Sequence, residues 1–231
     1  MLTVGKNNEK TRVDWLQRTL GQLPAGLRML DAGAGEQQFK KFCGHLNYVS
    51  QDFAQYDPQQ VPQGLQMPRW DYGKLDIVSD ITAIPQPDQS FDAIMCIEVL
   101  EHLPEPVQAL HEFTRLLRPR GHLILTAPFC SLTHFAPYHF ATGFSRYFYE
   151  HHLQADYEIL EMTPNGNFFE FLAQELLRLP EMAKRYADGP LPPSEYAALG
   201  QVLEFLQRCT QKDQKSAELL NFGYHVHALK R

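Results

Sequence analysis

Five residues in a row, Ala93 to Ile97, are apolar within the segment FDAIMCIEVLEHL. A strand without a polar position is typical of a sheet that helices cover on both faces. A helix-like segment, EPVQALHEFTRLL, follows this run, and a second apolar run, HLILTAP, comes after it. Strands that alternate with helices in this way predict an α/β fold with a doubly wound, mostly parallel sheet.

Five further segments are predicted as strands of the same sheet. LRMLDA, LNYVSQDF and LDIVSDITAIP precede the apolar run, whereas YEILEMT and the alternating FGYHVHALKR follow later. Helical spacing of apolar residues predicts a helix over Glu9–Leu20, and FKKFCG is predicted as a short helix. Residues Phe168 to Lys215 are also predicted as helical, with a break at ADGPLPPSE.

These elements predict a single domain over residues 1–231. Its parts are an N-terminal helix in 1–24, the core of the sheet in 27–129, a segment rich in His and aromatics in 130–167, a helical insertion in 168–221 and the last strand in 222–231. The segment Tyr56–Lys74 is rich in Pro and Gln, so we expect a loop that folds over a site.

Charge and cysteine content restrict the partners and the compartment. The net charge is −6 and the chain has no run of Lys or Arg, which argues against a nucleic-acid backbone as the main partner. The four cysteines are scattered without a Cys-x-x-Cys pair, as expected for reduced thiols in a reducing cytosol. The N-terminus has no apolar signal core and no apolar run reaches membrane-spanning length, so we expect a cytoplasmic protein.

The turn after the first predicted strand, MLDAGAGEQQF, contains two glycines. Glycines at such a turn let a ligand approach the backbone, although a tight strand-to-helix connection would also use them. A dinucleotide-binding turn requires a third glycine, and the position counted from Gly33 holds Gln38. An NAD(P)-dependent oxidoreductase is therefore a less favoured alternative for the function of the chain.

Acids follow three consecutive predicted strands, at the sheet edge where doubly wound folds bind their ligands. Asp31 would repel a pyrophosphate but suits S-adenosylmethionine, which carries an ammonium and a sulfonium and no phosphate. Asp52 can accept from ribose hydroxyls and Asp80 from an adenine amino group. Each acid alone could instead cap a helix or a turn.

Four stretches arrive in the order and spacing of one known family: MLDAGAGEQQF, YVSQDF, DIVSDITAIPQPDQSFDAIMCIEVLEHLPEP and LLRPRGHLILTAPF. The chain resembles the class I S-adenosylmethionine-dependent methyltransferases over roughly Leu27–Phe129. The resemblance implies a seven-stranded Rossmann-like sheet with an antiparallel last strand. It also implies a cofactor site at Asp31, Gly33, Gly35, Asp52, Phe53, Asp80, Ile81, Ile97 and Glu98. One position departs from the family, because Gln37 stands where a third glycine is usual.

Histidines near the same edge are candidates for catalysis. His102 follows the fourth strand, and a histidine suits a general base near neutral pH. The segment HFAPYHFATGFSRYFYEHHL resembles the substrate side of methyltransferases that accompany glycan-assembly enzymes. It adds His134 and His139 as base or donor candidates, although a surface loop with aromatic packing would look similar. Substrate contacts are predicted at Tyr138, Arg146 and Asn165.

A metal site is not predicted, because no set of Cys, His and carboxylates has a recognised zinc spacing.

The leading hypothesis is an enzyme that transfers a methyl group from S-adenosylmethionine to a small molecule or glycan. Oxygen is favoured as acceptor atom because the Asn-Pro-Pro-Tyr tetrad of amino-group methylation is missing. A non-catalytic methyltransferase-like binding module is the alternative from another class, and a homodimer is left open.

Overall fold

The computed structural model describes residues 2–61, 63–187 and 189–231. Position 62 of the predicted loop and position 188 of the predicted helix break lie outside the described residues, as does position 1. The chain divides into two compact units, one of Trp15–Thr163 with Gly223–Arg231 and the other of residues up to Asp14 with Pro164–Phe222. Whether these units act as the single predicted domain stays a prediction.

The first unit is built on the predicted sheet, whose strands are numbered here in chain order. They are β1 (Arg28–Ala32), β2 (Asn47–Asp52), β3 (Ile77–Val78), β4 (Phe91–Ile97), β5 (Leu117–Pro128), β6 (Tyr157–Asn165) and β7 (Gly223–Lys230). The sheet has seven strands in the order β3-β2-β1-β4-β5-β7-β6. Neighbours from β3 to β5 pair in parallel, whereas β7 runs antiparallel to β5. The predicted fold class is confirmed.

The helices are α1 (Asn8–Gly21), α2 (Pro106–Leu116), α3 (Arg146–Leu153), α4 (Phe168–Tyr186) and α5 (Pro193–Gln211). The helices α1, α2, α4 and α5 lie where helices were predicted, whereas α3 lies in the segment rich in His and aromatics. The predicted short helix FKKFCG is a 3-10 turn, Lys40–Phe42, and a second 3-10 turn, Leu100–His102, follows β4. Strand β5 begins at Leu117, earlier than the predicted HLILTAP, and its register against β4 shifts near Phe91.

The core of the sheet unit explains the apolar run. Residues Ala93 to Cys96 have no exposed surface. Phe113 of α2 and Tyr149 of α3 are fully buried in the same hydrophobic cluster as the sheet residues. Burial of a Phe-sized side chain contributes about 1.5–3 kcal/mol to folding. The strands are therefore rigid supports for the side chains and turns at their carboxyl ends.

The second unit has its own small core. Ala173 of α4 and Leu203 and Leu206 of α5 are buried together with Val4. The backbone N–H of Gly5 donates to the Glu170 carboxylate at 2.6 Å, which fixes the N-terminal segment on α4. Among the helices of the described chain, none has the length and apolar character needed to cross a membrane.

Candidate active site

Asp31 lies near the end of β1 and is 3% exposed. Its carboxylate accepts a hydrogen bond from the Tyr48 hydroxyl at 2.6 Å. Burial raises the pKa of Asp31 to about 7, the Tyr48 bond opposes this, and the charge of Asp52 raises the pKa further. A buried acid whose described hydrogen-bond partner is a neutral hydroxyl favours a cationic ligand, because such a ligand stabilises the ionised form.

The glycine turn has left-handed backbone angles at both predicted glycines, with φ of 76° at Gly33 and 50° at Gly35. A Cβ built on Gly33 would lie 2.6 Å from a Val99 methyl carbon, and one on Gly35 would lie 2.8 Å from the Trp70 ring. Both positions therefore require glycine for conformation and for space. The sequence predicts that a ligand can approach the backbone at these glycines. In the structure the side chains of Val99 and Trp70 lie close to them.

Asp52 ends β2 and joins it to the glycine turn. One carboxylate oxygen accepts from the Gly35 N–H at 2.9 Å, and the other accepts from the Ala54 N–H at 3.0 Å. Burial raises the pKa of Asp52. Each carboxylate oxygen has a second lone pair, so Asp52 can still accept from two further hydroxyl groups. The next residue, Phe53, packs edge-to-face on Tyr138, with ring centroids 4.9 Å apart.

Gln37 has a left-handed φ of 56°, at the position where the resembled family has a glycine. Its side-chain amide donates to the backbone carbonyl oxygens of Tyr72 and Lys74, at 2.9 and 3.0 Å. Gln37 thus adopts a left-handed conformation that is less favourable for glutamine than for glycine. Its two hydrogen bonds attach the loop to the glycine turn. The departure from the family pattern has a structural consequence rather than being a defect of the turn.

Substitution of Gln37 separates these two effects. Gln37→Ala and Gln37→Gly both lose the two hydrogen bonds, so protease cleavage within residues 56–74 should become faster in both. Gln37→Gly should be more stable than Gln37→Ala by about 1 kcal/mol, because glycine relieves the left-handed strain. Limited proteolysis with mass spectrometry and thermal unfolding measure both quantities. Gln38→Ala, at an exposed neighbouring position, is the control, and a cleavage rate like that of this control would refute the attachment.

The remaining predicted cofactor residues differ in their surroundings. Asp80 is exposed, and its carboxylate accepts from the N–H and hydroxyl of Thr82 at 2.8 and 2.7 Å, as in a capped turn. Ile81 and Ile97 are buried, 6% and 8% exposed. Glu98 follows β4 with a left-handed φ of 55°. Such backbone strain in a residue other than glycine is common at functional sites.

The structure brings the three predicted catalytic histidines together. Ring centroids lie 4.7 Å apart between His102 and His134, 5.1 Å between His134 and His139, and 6.3 Å between His102 and His139. Burial, helped by the neighbouring His134, lowers the pKa of His102 to about 3. Burial also lowers the pKa of His139, whose Nε2 lies 3.1 Å from the Ser131 hydroxyl. His139 is thus the better candidate for a base near neutral pH.

Sequence reasoning missed Glu101, which is 1% exposed beneath this cluster. Its Oε1 lies 3.6 Å from Nε2 of His102 and 3.8 Å from Nε2 of His134. The adjacent letters Glu-His after the apolar strand were the available signal, since both residues follow the carboxyl end of β4. Tyr48, the partner of Asp31, was also missed.

A wall of aromatic rings beside the histidines was missed as well. Tyr56 stacks on Phe135 at 4.1 Å between centroids, and Trp70 meets the same ring edge-on at 4.8 Å. Leu65 donates its N–H to the Thr133 carbonyl at 2.9 Å and accepts from the Phe135 N–H at 3.2 Å. The predicted loop 56–74 therefore lies against the His-rich segment, as its predicted role over a site requires.

The predicted substrate residues are dispersed. Tyr138 belongs to the cluster, because its carbonyl oxygen contacts His102 and its ring contacts Phe53. Arg146 begins α3 and is bound to Glu150 on the same helix at 2.5 Å. Asn165 belongs to the other compact unit, where its amide donates to the carbonyl and the side chain of Asn8 at 3.0 and 2.9 Å. The roles of Arg146 and Asn165 in binding a substrate stay predictions.

Residues 30–125 match the model of a family described as a methyltransferase domain. They contain most of β1, the glycine turn, β2, β3, β4 and most of β5. This stretch, which is less than half of the chain, is similar to the class I methyltransferases. The predicted resemblance to class I methyltransferases is confirmed on this stretch, which carries Asp31, Asp52 and the 3-10 turn with His102.

Proteins of known name resemble the chain over this stretch or the whole fold. A ubiquinone biosynthesis O-methyltransferase of Xanthomonas oryzae pv. oryzae is 33% identical over 122 residues, which cover 50% of this chain and 48% of that protein. A 2-methyl-6-phytyl-1,4-hydroquinone methyltransferase of Synechocystis is 26% identical over 53% of this chain and 40% of that protein. The chain spans about half the length of these curated relatives.

A solved structure extends the likeness to the fold of nearly the entire chain. An S-adenosylmethionine-dependent methyltransferase of Archaeoglobus fulgidus superposes with a TM-score of 0.55 at 16% identity, over 96% of this chain and 94% of that one. At this identity the likeness concerns the fold alone. The match to a methyltransferase domain supports the predicted cofactor, S-adenosylmethionine.

The residues present fit that cofactor. The buried Asp31 carboxyl, with its pKa of about 7, can ionise beside an ammonium or sulfonium. Asp52 retains acceptor capacity for ribose hydroxyls. A pyrophosphate, in contrast, would meet two carboxyl groups at this edge, which disfavours a dinucleotide.

Proposed function

We propose that this protein transfers a methyl group from S-adenosylmethionine to an oxygen atom of a small-molecule acceptor. The observation that carries the proposal is the buried Asp31 carboxyl at the end of β1, beside a glycine turn, in a stretch that matches a methyltransferase domain. The three neighbouring histidines supply groups that a hydroxyl acceptor can use.

In this proposal the cofactor, when bound, supplies a methyl group on a sulfonium, which is an activated leaving group. Asp31 and Glu98 hold the methionine end, Gly33 and Gly35 provide the close backbone approach, and Asp52 with Phe53 holds the ribose. The adenine lies by Asp80 and Ile81, and Ile97 borders the methionine. Catalysis then rests mainly on orientation and on electrostatics.

His139 is assigned the role of base. Burial lowers the pKa of His139 from its ordinary value, which favours the neutral imidazole that can accept a proton from the acceptor hydroxyl. With that proton on His139, the acceptor oxygen would be the nucleophile for the methyl group that the bound cofactor would supply, and the sulfonium sulfur would be the leaving group. His134 and His102 border the same space, and Tyr138 contacts the acceptor.

The acceptor is proposed to carry a hydroxyl on a ring. Tyr56, Trp70 and Phe135 form an aromatic wall beside the histidines, and such rings bind both flat aromatic rings and sugar faces. The named relatives act in quinone biosynthesis and on a hydroquinone, whereas the resemblance of the His-rich segment favours a glycan. Cytoplasmic location and a homodimer belong to this proposal as well.

Two substitutions should divide binding from chemistry. Asp31→Ala removes the charged partner of the cofactor, so we expect a larger loss of affinity for S-adenosylhomocysteine than in His139→Ala. His139→Ala removes the base, which typically contributes about 10²- to 10⁴-fold, so kcat should fall with little change in cofactor affinity. Calorimetry and single-turnover rates provide the two readouts. Equal losses of affinity in the two variants would contradict this division of roles.

The function itself is tested with S-adenosylmethionine that carries a deuterated methyl group. Quinols, catechols, monosaccharides and oligosaccharides, and metabolite fractions are incubated with the protein, and mass spectrometry searches for products that gain the labelled methyl group. We expect a labelled ether that disappears in His139→Ala. Cofactor binding without transfer to any fraction would favour the non-catalytic binding module instead.

A further inference from the structure

Glu101, His102 and His134 form a three-residue cluster of groups that can bind a metal ion. One ligand-type atom of each residue lies within 4.8 Å of those of the other two. Oε1 of Glu101 is 3.6 Å from Nε2 of His102 and 3.8 Å from Nε2 of His134. These distances exceed the range of about 2.7–3.2 Å for hydrogen bonds of this kind. The groups converge without bonding one another directly, as ligands around an ion do.

The protonation of both imidazoles suits metal binding. Nδ1 of His102 lies 2.5 Å from the Tyr138 carbonyl oxygen, and Nδ1 of His134 lies 2.8 Å from the Leu132 carbonyl oxygen. A carbonyl oxygen only accepts, so each Nδ1 is the donor of its ring and Nε2 is the ring atom left for a metal. Metal-binding histidines are commonly oriented in this way by a backbone carbonyl on the other ring nitrogen.

We propose that Glu101, His102 and His134 bind a divalent cation of the zinc or ferrous-iron type. Two imidazoles and one carboxylate are a known ligand set for these metals. Bonds of about 2.0–2.2 Å place tetrahedral ligands roughly 3.3–3.6 Å apart, close to the two distances from Glu101. All three ligand atoms lie within 4.8 Å of one another, so the side chains must move inward around an ion. Two of the ligands, Glu101 and His102, follow β4, and the third, His134, lies in the His-rich segment. The sequence analysis predicted no metal site because it considered only recognised zinc spacings.

The backbone holds these ligands in place. The Glu101 carbonyl oxygen accepts from the N–H groups of Phe140 and Ala141, at 2.9 and 3.1 Å. His134 forms a β-bridge with Leu65 of the loop. Backbone contacts therefore hold both the turn that carries Glu101 and the segment that carries His134 in the absence of an ion.

The role of the ion rests on the proposed function, whereas its binding does not. Three protein ligands leave at least one coordination position for water or for the acceptor hydroxyl. A hydroxyl bound there would lose its proton more readily, and His139 could receive that proton. The site would thus select acceptors that present a hydroxyl to a cation.

The test is a titration of the metal-free full chain with Co²⁺, followed by visible absorption and calorimetry, and a competition with Zn²⁺. We expect one Co²⁺ per chain, with absorption bands typical of low coordination number, and displacement by Zn²⁺. Glu101→Gln and His134→Asn should each weaken Co²⁺ at least about tenfold. Circular dichroism confirms folding, and His134→Asn, at a partly exposed position, keeps the test valid if Glu101→Gln does not fold.

A second histidine pair provides the control. Nδ1 of His122 lies 3.0 Å from Nε2 of His227, so an adventitious ion could bind there. His122→Asn should leave Co²⁺ affinity unchanged. Undetectable Co²⁺ binding, or binding that is lost in His122→Asn and retained in Glu101→Gln, would overturn the proposal. Binding of Co²⁺ without any methyl transfer would instead reject the proposed function and leave the metal site standing.

Discussion

Asp31→Asn is expected to weaken the binding of S-adenosylhomocysteine roughly 10- to 150-fold, and at the same time to stabilise the ligand-free protein above pH 7. The loss of affinity follows from the removal of a hydrogen bond to a charged group, which contributes about 1.5–3 kcal/mol. Asparagine keeps the size of the side chain and still accepts from the Tyr48 hydroxyl. The variant therefore removes the charge and little else.

The gain in stability follows from the raised pKa of Asp31, from 3.8 to about 7. A buried carboxyl with a raised pKa stabilises the fold fully only below pH 3.8, and this contribution is lost as the pH rises to about 7. The free energy of unfolding of the wild type should therefore decrease over this window by a few kcal/mol, since each tenfold change in proton affinity is about 1.4 kcal/mol. Asp31→Asn should lack this decrease.

Urea unfolding at pH 5 and pH 8, with and without S-adenosylhomocysteine, measures both effects. Cofactor affinity of the wild type should also fall below pH 7, because Asp31 must then release a proton to bind a cation. Asp14→Asn removes the same charge from an exposed carboxylate that pairs with Lys10 and is the matched control. An Asp31→Asn variant with wild-type affinity at every pH would mean that Asp31 does not face the cofactor.

Gly33→Ala is expected to destabilise the protein by about 2–5 kcal/mol and to reduce cofactor binding. A left-handed φ costs alanine about 1–2 kcal/mol, and crowding in a packed region costs about 1–3 kcal/mol more. The crowding arises because the new Cβ would lie 2.6 and 2.7 Å from the two methyl carbons of Val99. The turn must move, and its N–H groups move with it.

Gly26→Ala is the matched control, because Gly26 has a φ of 82° but no atom within 4 Å of a new Cβ. It should show only the conformational cost. Val99→Ala in the Gly33→Ala background should recover part of the loss, and a double-mutant cycle measures that coupling. Equal costs for Gly33→Ala and Gly26→Ala would show that the close packing at Gly33 does not matter.

The fold was predictable because its signals are local and periodic. The run Ala93–Ile97 indicated a strand covered on both faces, and all of it is buried. The acids at the ends of β1 and β2 were found because strand ends of a parallel sheet meet at one edge. The alternative of a turn cap, left open for each acid, describes the observed bonds of Asp80.

The parts of the candidate site that the sequence did not predict depend on contacts between distant segments. Tyr48 reaches Asp31 across neighbouring strands, and Glu101 acquires its surroundings only when the His-rich segment folds onto the turn after β4. No periodicity in the sequence announces that Trp70 covers Gly35 or that Gln37 holds the loop. Such contacts depend on the tertiary packing of loops, which the residue pattern of a single chain does not encode locally.

The most direct test of the central claim, a cationic cofactor at the carboxyl edge of β1 and β2, is a calorimetric titration of the full chain with S-adenosylhomocysteine and, separately, with S-adenosylmethionine and NADH. We expect one saturable site for both adenosyl compounds, mutual competition between them, a large loss of affinity in Asp31→Ala, and no binding of NADH. No binding of S-adenosylhomocysteine at several temperatures, or undiminished binding in Asp31→Ala, would contradict it.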